Sequence, residues 1–245
     1  MKQQTAPKKK QEVHIYDIPK KYFPKKTKSQ EYADELVRMM SNLRYTNEKV
    51  QHSAQLCSFD ITALSKKQGF RPLVNELFKQ VAEFVYHYEN YCFRAYSFRE
   101  KTLKFINSIL MLNFDEYDVK MKFIKNHPIV KQAGLVPMLN KFETNRSIKK
   151  IIEDRSCLTH KLYYGKKFDH YFRPTIDPAR GELKEAERKR WRKDWKKEIQ
   201  TRAKMTDEFT DSIFDMNHIL ARKIMGYRDM SKKKTTVVSP KEKEI

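Results

Sequence analysis

Glycine and proline are scarce. Only 5 Gly and 9 Pro occur in 245 residues, clustered rather than spread at strand-like intervals, which argues against an all-β fold built on frequent tight turns. Cysteine is scarcer still: Cys57, Cys92 and Cys157 are odd in number, far apart and set among apolar residues. That pattern reads as reduced, buried thiols, not as a disulfide scaffold or zinc site, and predicts a cytoplasmic setting. No apolar run approaches membrane-span length. The strongest, Ile109-Leu110-Met111-Leu112, is far too short, and Met1 to Lys10 has no apolar core for a signal peptide. A Gly-rich phosphate loop, an HExxH pair and a CxxC pair are also missing. Nucleotide-triphosphatase and zinc-hydrolase chemistry thereby lose their usual support, and neither a metal nor a cofactor is expected.

What is present is helix-forming and basic. A hydrophobic content of 39% in a chain of this length is enough for a substantial core. The 52 Lys and Arg against 31 Asp and Glu leave a formal charge of +21, a field that concentrates polyanions. Nucleic acid is the first candidate partner, with acidic membrane or acidic protein as alternatives.

Along the chain, residues 1–28 mix Lys with Pro7, Pro19 and Pro24 and have no helical period, which predicts a basic, mostly extended arm, either ordered around His14-Ile15-Tyr16 and touching a partner or a disordered solubilising tail. Ser29 is a candidate N-cap for a helix burying Tyr32, Leu36, Val37, Met40 and Leu43. Gly69 and Pro72 mark a boundary. From Leu73 to about Leu112 the spacing of Val74, Phe78, Val81, Val85, Tyr88, Cys92 and Ala95 predicts one long core helix. Arg99 and Thr102 interrupt its seam, either lining a polar site or dimer contact or, in the simpler reading, with Arg99 turned outward or paired with Glu100 or another carboxylate. Pro128, Gly134 and Pro137 then divide 113–143 into two or three short helices, after which Thr144 or Asn145 caps a helix ended by Gly165.

Residues 166–174 read as a basic, aromatic loop, in which His170, Tyr171 and Arg173 suit stacking on unpaired bases or simply pin the loop to the core. A basic helix pair follows over 181–230. In its first helix Trp191, Trp195 and Ile199 form a narrow docking stripe, while Arg188, Lys189, Arg190, Arg192, Lys193, Lys196 and Lys197 face solvent or phosphate. Residues 231–245 read as a disordered tail.

Chemistry is suggested in one place. Ile148, Ile151, Ile152, Leu158 and Leu162 make the apolar face of an amphipathic helix, and Arg155 falls on it, with His160 five residues on. Such residues stand about 140° apart around the axis, so one helix makes a poor site. Two copies packed across a twofold axis would bring both arginines and both histidines around one cleft, with guanidinium on phosphate and imidazole as acid or base.

Arg155-x4-His160 near the end of a helix, together with Tyr86-His87-Tyr88-Glu89-Asn90-Tyr91 and the run from Arg94 to Lys101, resembles the R-x4-6-H motif and upstream helix of the HEPN superfamily, in its prokaryotic defence and toxin branch. The resemblance covers roughly residues 70–175, within a bundle taken to span 29–180. It implies an all-α, usually dimeric bundle acting as a metal-independent endoribonuclease, with Arg155 and His160 at the catalytic positions, RNA as partner and an antitoxin or larger defence complex as possible regulators. Arg99, Glu100 and Ser156 would support the site. Ser156 departs from the Asn, Asp or His that many active members carry after the arginine. The alternative is a non-catalytic nucleic-acid-binding or scaffold subunit, in which Arg155 pairs with a carboxylate such as Glu100 and His160 caps or fills the core.

Overall fold

The computed structural model describes residues 13–23, 25–63, 70–161 and 185–237, and among them there is no β-strand. The fold is all-α. Its elements are α1 (Asp17–Tyr22), α2 (Lys28–Ala63), α3 (Phe70–Leu110), a 3-10 turn (Glu116–Asp118), α4 (Met121–Asn126), α5 (Pro128–Gln132), α6 (Val136–Thr144), α7 (Arg146–Lys161) and α8 (Glu185–Val237).

Helices α2 and α3 form a long antiparallel pair. Near one end Ser29 Oγ meets Ser108 Oγ at 2.8 Å, and further along Lys101 reaches Glu35 at 2.9 Å. Ser29 therefore sits inside α2 and ties it to α3 instead of capping it; the first turn closes on the Thr27 carbonyl. The apolar faces meet through Leu36, Leu43, Val50 and Cys57 on one side and Phe84, Tyr88, Cys92, Ala95 and Ile106 on the other, all buried. Removing that much apolar surface from water is the main stabilising contribution. Arg99 does pair outward with Glu100 at 2.7 Å, while Thr102 stays buried because its hydroxyl donates to the Phe98 carbonyl at 2.9 Å.

Three short helices follow, as the Pro and Gly positions predict. Met111, Asn113 and Gly134 take left-handed backbone, with φ of 53°, 61° and 66°, which turns the chain at the ends of α3 and α5. Asn107 holds the first turn by accepting from the Phe114 amide and donating to its carbonyl.

The C-terminal part differs from the expected pair of helices. A single helix, α8, runs from Glu185 to Val237, so the interruption expected between the Trp stripe and Phe209 is absent and helix continues past Ser231. The reason is periodicity: Trp195, Ile199, Ala203, Thr206, Phe209, Ile213, Met216, Leu220 and Ile224 are all buried at three- and four-residue steps, so one stripe runs unbroken from Trp195 to Ile224. Gln51 donates to the Ala203 carbonyl and Asn47 to Asp207, which sets α8 antiparallel to α2. Tyr91 donates to the Thr206 carbonyl at 2.8 Å and binds α8 to α3.

The arm is also more structured near its end than expected. Ile15 and Ile18 are buried, α1 packs on α2 and α8, and Tyr22 donates to Asp229 and to the Met225 carbonyl.

Candidate functional site

Helix α7 starts at a side-chain cap: Asn145 Oδ1 accepts from the amides of Ser147 at 2.9 Å and Ile148 at 3.2 Å. Ile148 and Ile151 anchor its first half in the core. Ser147 Oγ donates to Glu208 at 2.7 Å, and one turn beyond Ile151 the next inward position is a carboxylate, Asp154. The Ser147–Glu208 and Asp154–Arg202 contacts make α7 antiparallel to α8.

Asp154 is only 3% exposed. Its Oδ2 accepts from the Tyr88 hydroxyl at 2.7 Å and from Arg202, and its Oδ1 faces Lys150 at 3.0 Å. Arg202 also donates to Glu198 at 3.0 Å and lies over the Tyr88 ring, 5.1 Å from its centre. A buried ion would be costly alone, so each charge here has an opposite partner and further hydrogen bonds. Burial, reinforced by Cys92 and Asp154, holds the Tyr88 hydroxyl well above its usual range and keeps it a donor. Burial opposes the Arg202 charge, but Tyr88, Asp154 and Glu198 outweigh it and leave the guanidinium firmly protonated. Burial likewise drives the Cys92 thiol far up, so this cysteine is core filler and not a nucleophile.

Arg155, one residue on, turns to the rim. Its guanidinium lies over the Tyr96 ring at 4.1 Å and nearer the edge of contact with Phe93 at 6.0 Å. Phe93 is 43% exposed, unusual for its type, so the arginine sits on a partly open aromatic surface of α3. Ser156 is exposed and Cys157 half-buried. Glu100 is held by Arg99 one turn beyond Tyr96. His160 lies in α7, but its side chain falls outside the described residues, as do those of Arg188, Lys189 and Arg192. His170, Tyr171 and Arg173 also lie outside them.

On α8, Arg190, Lys193 and Lys197 are exposed and Lys196 is half-buried. Positions 193 and 197 are each two residues, about 200°, from Trp195, so this basic face is the reverse of the buried stripe. Arg190 reaches Asp194 only at 3.9 Å.

Residues 39–217, well over half of the chain, match the HEPN_Cthe2314-like HEPN family. The chain belongs to the HEPN superfamily. The match takes in most of α2, all of α3 to α7 and α8 as far as Asn217, and so contains both Arg155 and His160. HEPN domains are associated with nuclease and other RNA-related functions, and they commonly dimerise. No curated protein and no solved structure matches the chain. Among the described residues of this HEPN protein, no helix is long and apolar enough to cross a membrane. Nor, among them, is any group of three or more His, Cys, Asp or Glu side chains placed to hold a metal ion.

The sequence puts Arg155 on the apolar face of its helix, whereas in the fold Asp154 takes the buried position, against Tyr88 and Arg202, and Arg155 is turned about 100° away onto Tyr96 and Phe93. A signal was there. Asp154 stands three residues after Ile151 and Arg202 three after Ile199, two opposite charges on two apolar stripes.

Proposed function

We propose that this HEPN protein is a metal-independent endoribonuclease whose composite site forms where two copies bring Arg155 and His160 together. The observation that carries the reading is Arg155, set on the Tyr96 ring at the rim of α7 within a HEPN domain. Stacking engages the face of a guanidinium, and its in-plane N–H fork is the geometry that pairs with two phosphate oxygens. The arginines hold the scissile phosphate and offset the charge that develops on its oxygens. One imidazole removes the 2′-hydroxyl proton, the 2′-oxygen bonds to phosphorus, and the bond to the 5′-oxygen breaks. The other imidazole protonates that leaving oxygen. The products are a 2′,3′-cyclic phosphate and a 5′-hydroxyl, with no net redox change.

The aromatic run from Tyr86 to Tyr91 and the segment from Arg94 to Lys101, similar to defence and toxin HEPN proteins, support a defence or toxin-antitoxin setting in the cytoplasm, with an antitoxin or larger complex as regulator. The basic, aromatic segment 166–174 and the basic face of α8 would hold the rest of the RNA. Ser156, at the position after Arg155, favours a second reading as a non-catalytic RNA-binding or scaffold subunit.

The test incubates wild type, Arg155→Ala and His160→Ala with total RNA in EDTA and reads the new ends. Cyclic phosphate and 5′-hydroxyl ends from wild type alone are expected; equal cleavage by all three removes the site. Salt-sensitive binding without cleavage selects the second reading. A mass in solution equal to one chain overturns the composite site.

A further inference from the structure

We infer that Asp154 is the positioning residue of the site: with Tyr88 and Arg202 it forms a three-helix clamp that fixes the rotation of α7 and so the placement of Arg155 and His160. The inference rests on the assignment of those two residues above.

The described apolar anchors of α7, Ile148 and Ile151, lie in its first half, and the last described buried residue is Asp154. Apolar burial is non-directional and tolerates a helix turning on its axis. A carboxylate held from α3 by Tyr88 at 2.7 Å, from α8 by Arg202 and from its own helix by Lys150 at 3.0 Å does not, because hydrogen bonds weaken steeply off line. At about 100° per residue, pinning Asp154 inward places Arg155 about 100° to one side and position 160 about 120° to the other. Backbone positions 155 and 160 thus fall on opposite shoulders of α7, on either side of the clamp. Arg155 arrives over Tyr96, as observed. Arg202 is in turn oriented by Glu198 and by the Tyr88 ring, so the clamp has its own support.

The experiment combines hydrogen exchange of the full chain with steady-state RNA cleavage for Asp154→Asn and Tyr88→Phe. Ser147→Ala, which loosens only the first half of α7, is the comparison. Amides of α7 after residue 154 should exchange at least about tenfold faster in both clamp variants, with α3 and the centre of α8 unchanged. The turnover number should fall roughly 10- to 100-fold while KM stays within about twofold, the pattern of misplaced catalytic groups. Tyr88→Phe keeps the ring packing and decides the matter if Asp154→Asn does not fold. Unchanged exchange beyond residue 154, or a loss of turnover no greater than for Ser147→Ala, overturns the clamp. If Arg155→Ala cleaves like wild type, the ribonuclease reading fails, while the exchange data still judge whether the clamp fixes α7.

Discussion

Asp154 and Arg155 are consecutive residues that meet opposite surroundings. The carboxylate is buried against Tyr88 and Arg202, while the guanidinium rests over Tyr96 at the protein rim, 4.1 Å from the ring centre. One step of a helix, about 100°, separates an internal ion pair from a half-buried guanidinium stacked on an aromatic ring.

Arg155→Lys keeps the charge but loses the planar fork and most of the stacking. RNA cleavage should fall at least about tenfold in initial-rate assays, while the circular dichroism spectrum is unchanged. Tyr96→Leu should cost about 0.5–1 kcal/mol in urea unfolding, the value of a partly exposed cation–π contact, and should also lower cleavage. Full activity in both variants would speak against the arginine acting at phosphate.

Removing one partner of the internal pair should hurt more than removing both. Asp154→Ala leaves the Arg202 charge buried without the carboxylate that meets it from α7 and should cost about 3 kcal/mol in denaturant unfolding. Asp154→Leu combined with Arg202→Met should lose clearly less than the sum of its single changes, with a coupling of about 1–3 kcal/mol. Simple additivity would show that the two side chains do not depend on each other.

Acid stability carries a second signature, at the far end of α3. Hydrogen bonds from Lys28 and Tyr32, with Lys104 nearby, pull the Glu116 carboxyl from 4.5 down to about 2. A depressed acid contributes stability that is complete above the ordinary carboxylate range and is lost as pH falls through about 2. Glu116→Gln should therefore flatten the decline of stability between those values. The side chain is 41% exposed, so the gain is limited to about 1 kcal/mol. Identical pH slopes for wild type and variant would remove the interaction.

The reverse face of α8 is expected to bind backbone phosphate without regard to sequence. Changing Arg190, Lys193 and Lys197 together to Glu should weaken RNA binding uniformly across sequences. It should also reduce the log–log salt dependence by about 2, as expected for three lost contacts to single strands. Fluorescence anisotropy over a salt series measures both; an unchanged slope would place the RNA elsewhere.

Much of the architecture was legible because apolar periodicity is a local property. Val81, Tyr88, Cys92 and Ala95 announced α3, and Pro128, Gly134 and Pro137 announced the short helices. The join within α8 looks like a break in the sequence because four of residues 204–208 are polar, although Thr206 there is buried and Ala203 and Phe209 continue the stripe on either side. Hydroxyls that satisfy themselves within a helix, as Thr206 and Thr210 do by bonding to carbonyls one turn back, look like a break in a sequence and are none in the fold.

By itself the sequence determined an all-helical chain, a strongly basic surface and an arginine and a histidine five residues apart near the end of one helix, since these follow from spacing and composition alone. Only the tertiary structure decided which way that helix faces. Tyr88, Asp154 and Arg202 lie on three helices separated by dozens of residues, and their pairing depends on how α3, α7 and α8 cross. A charge on an apolar stripe tells a reader that a partner must exist; the fold alone supplies it.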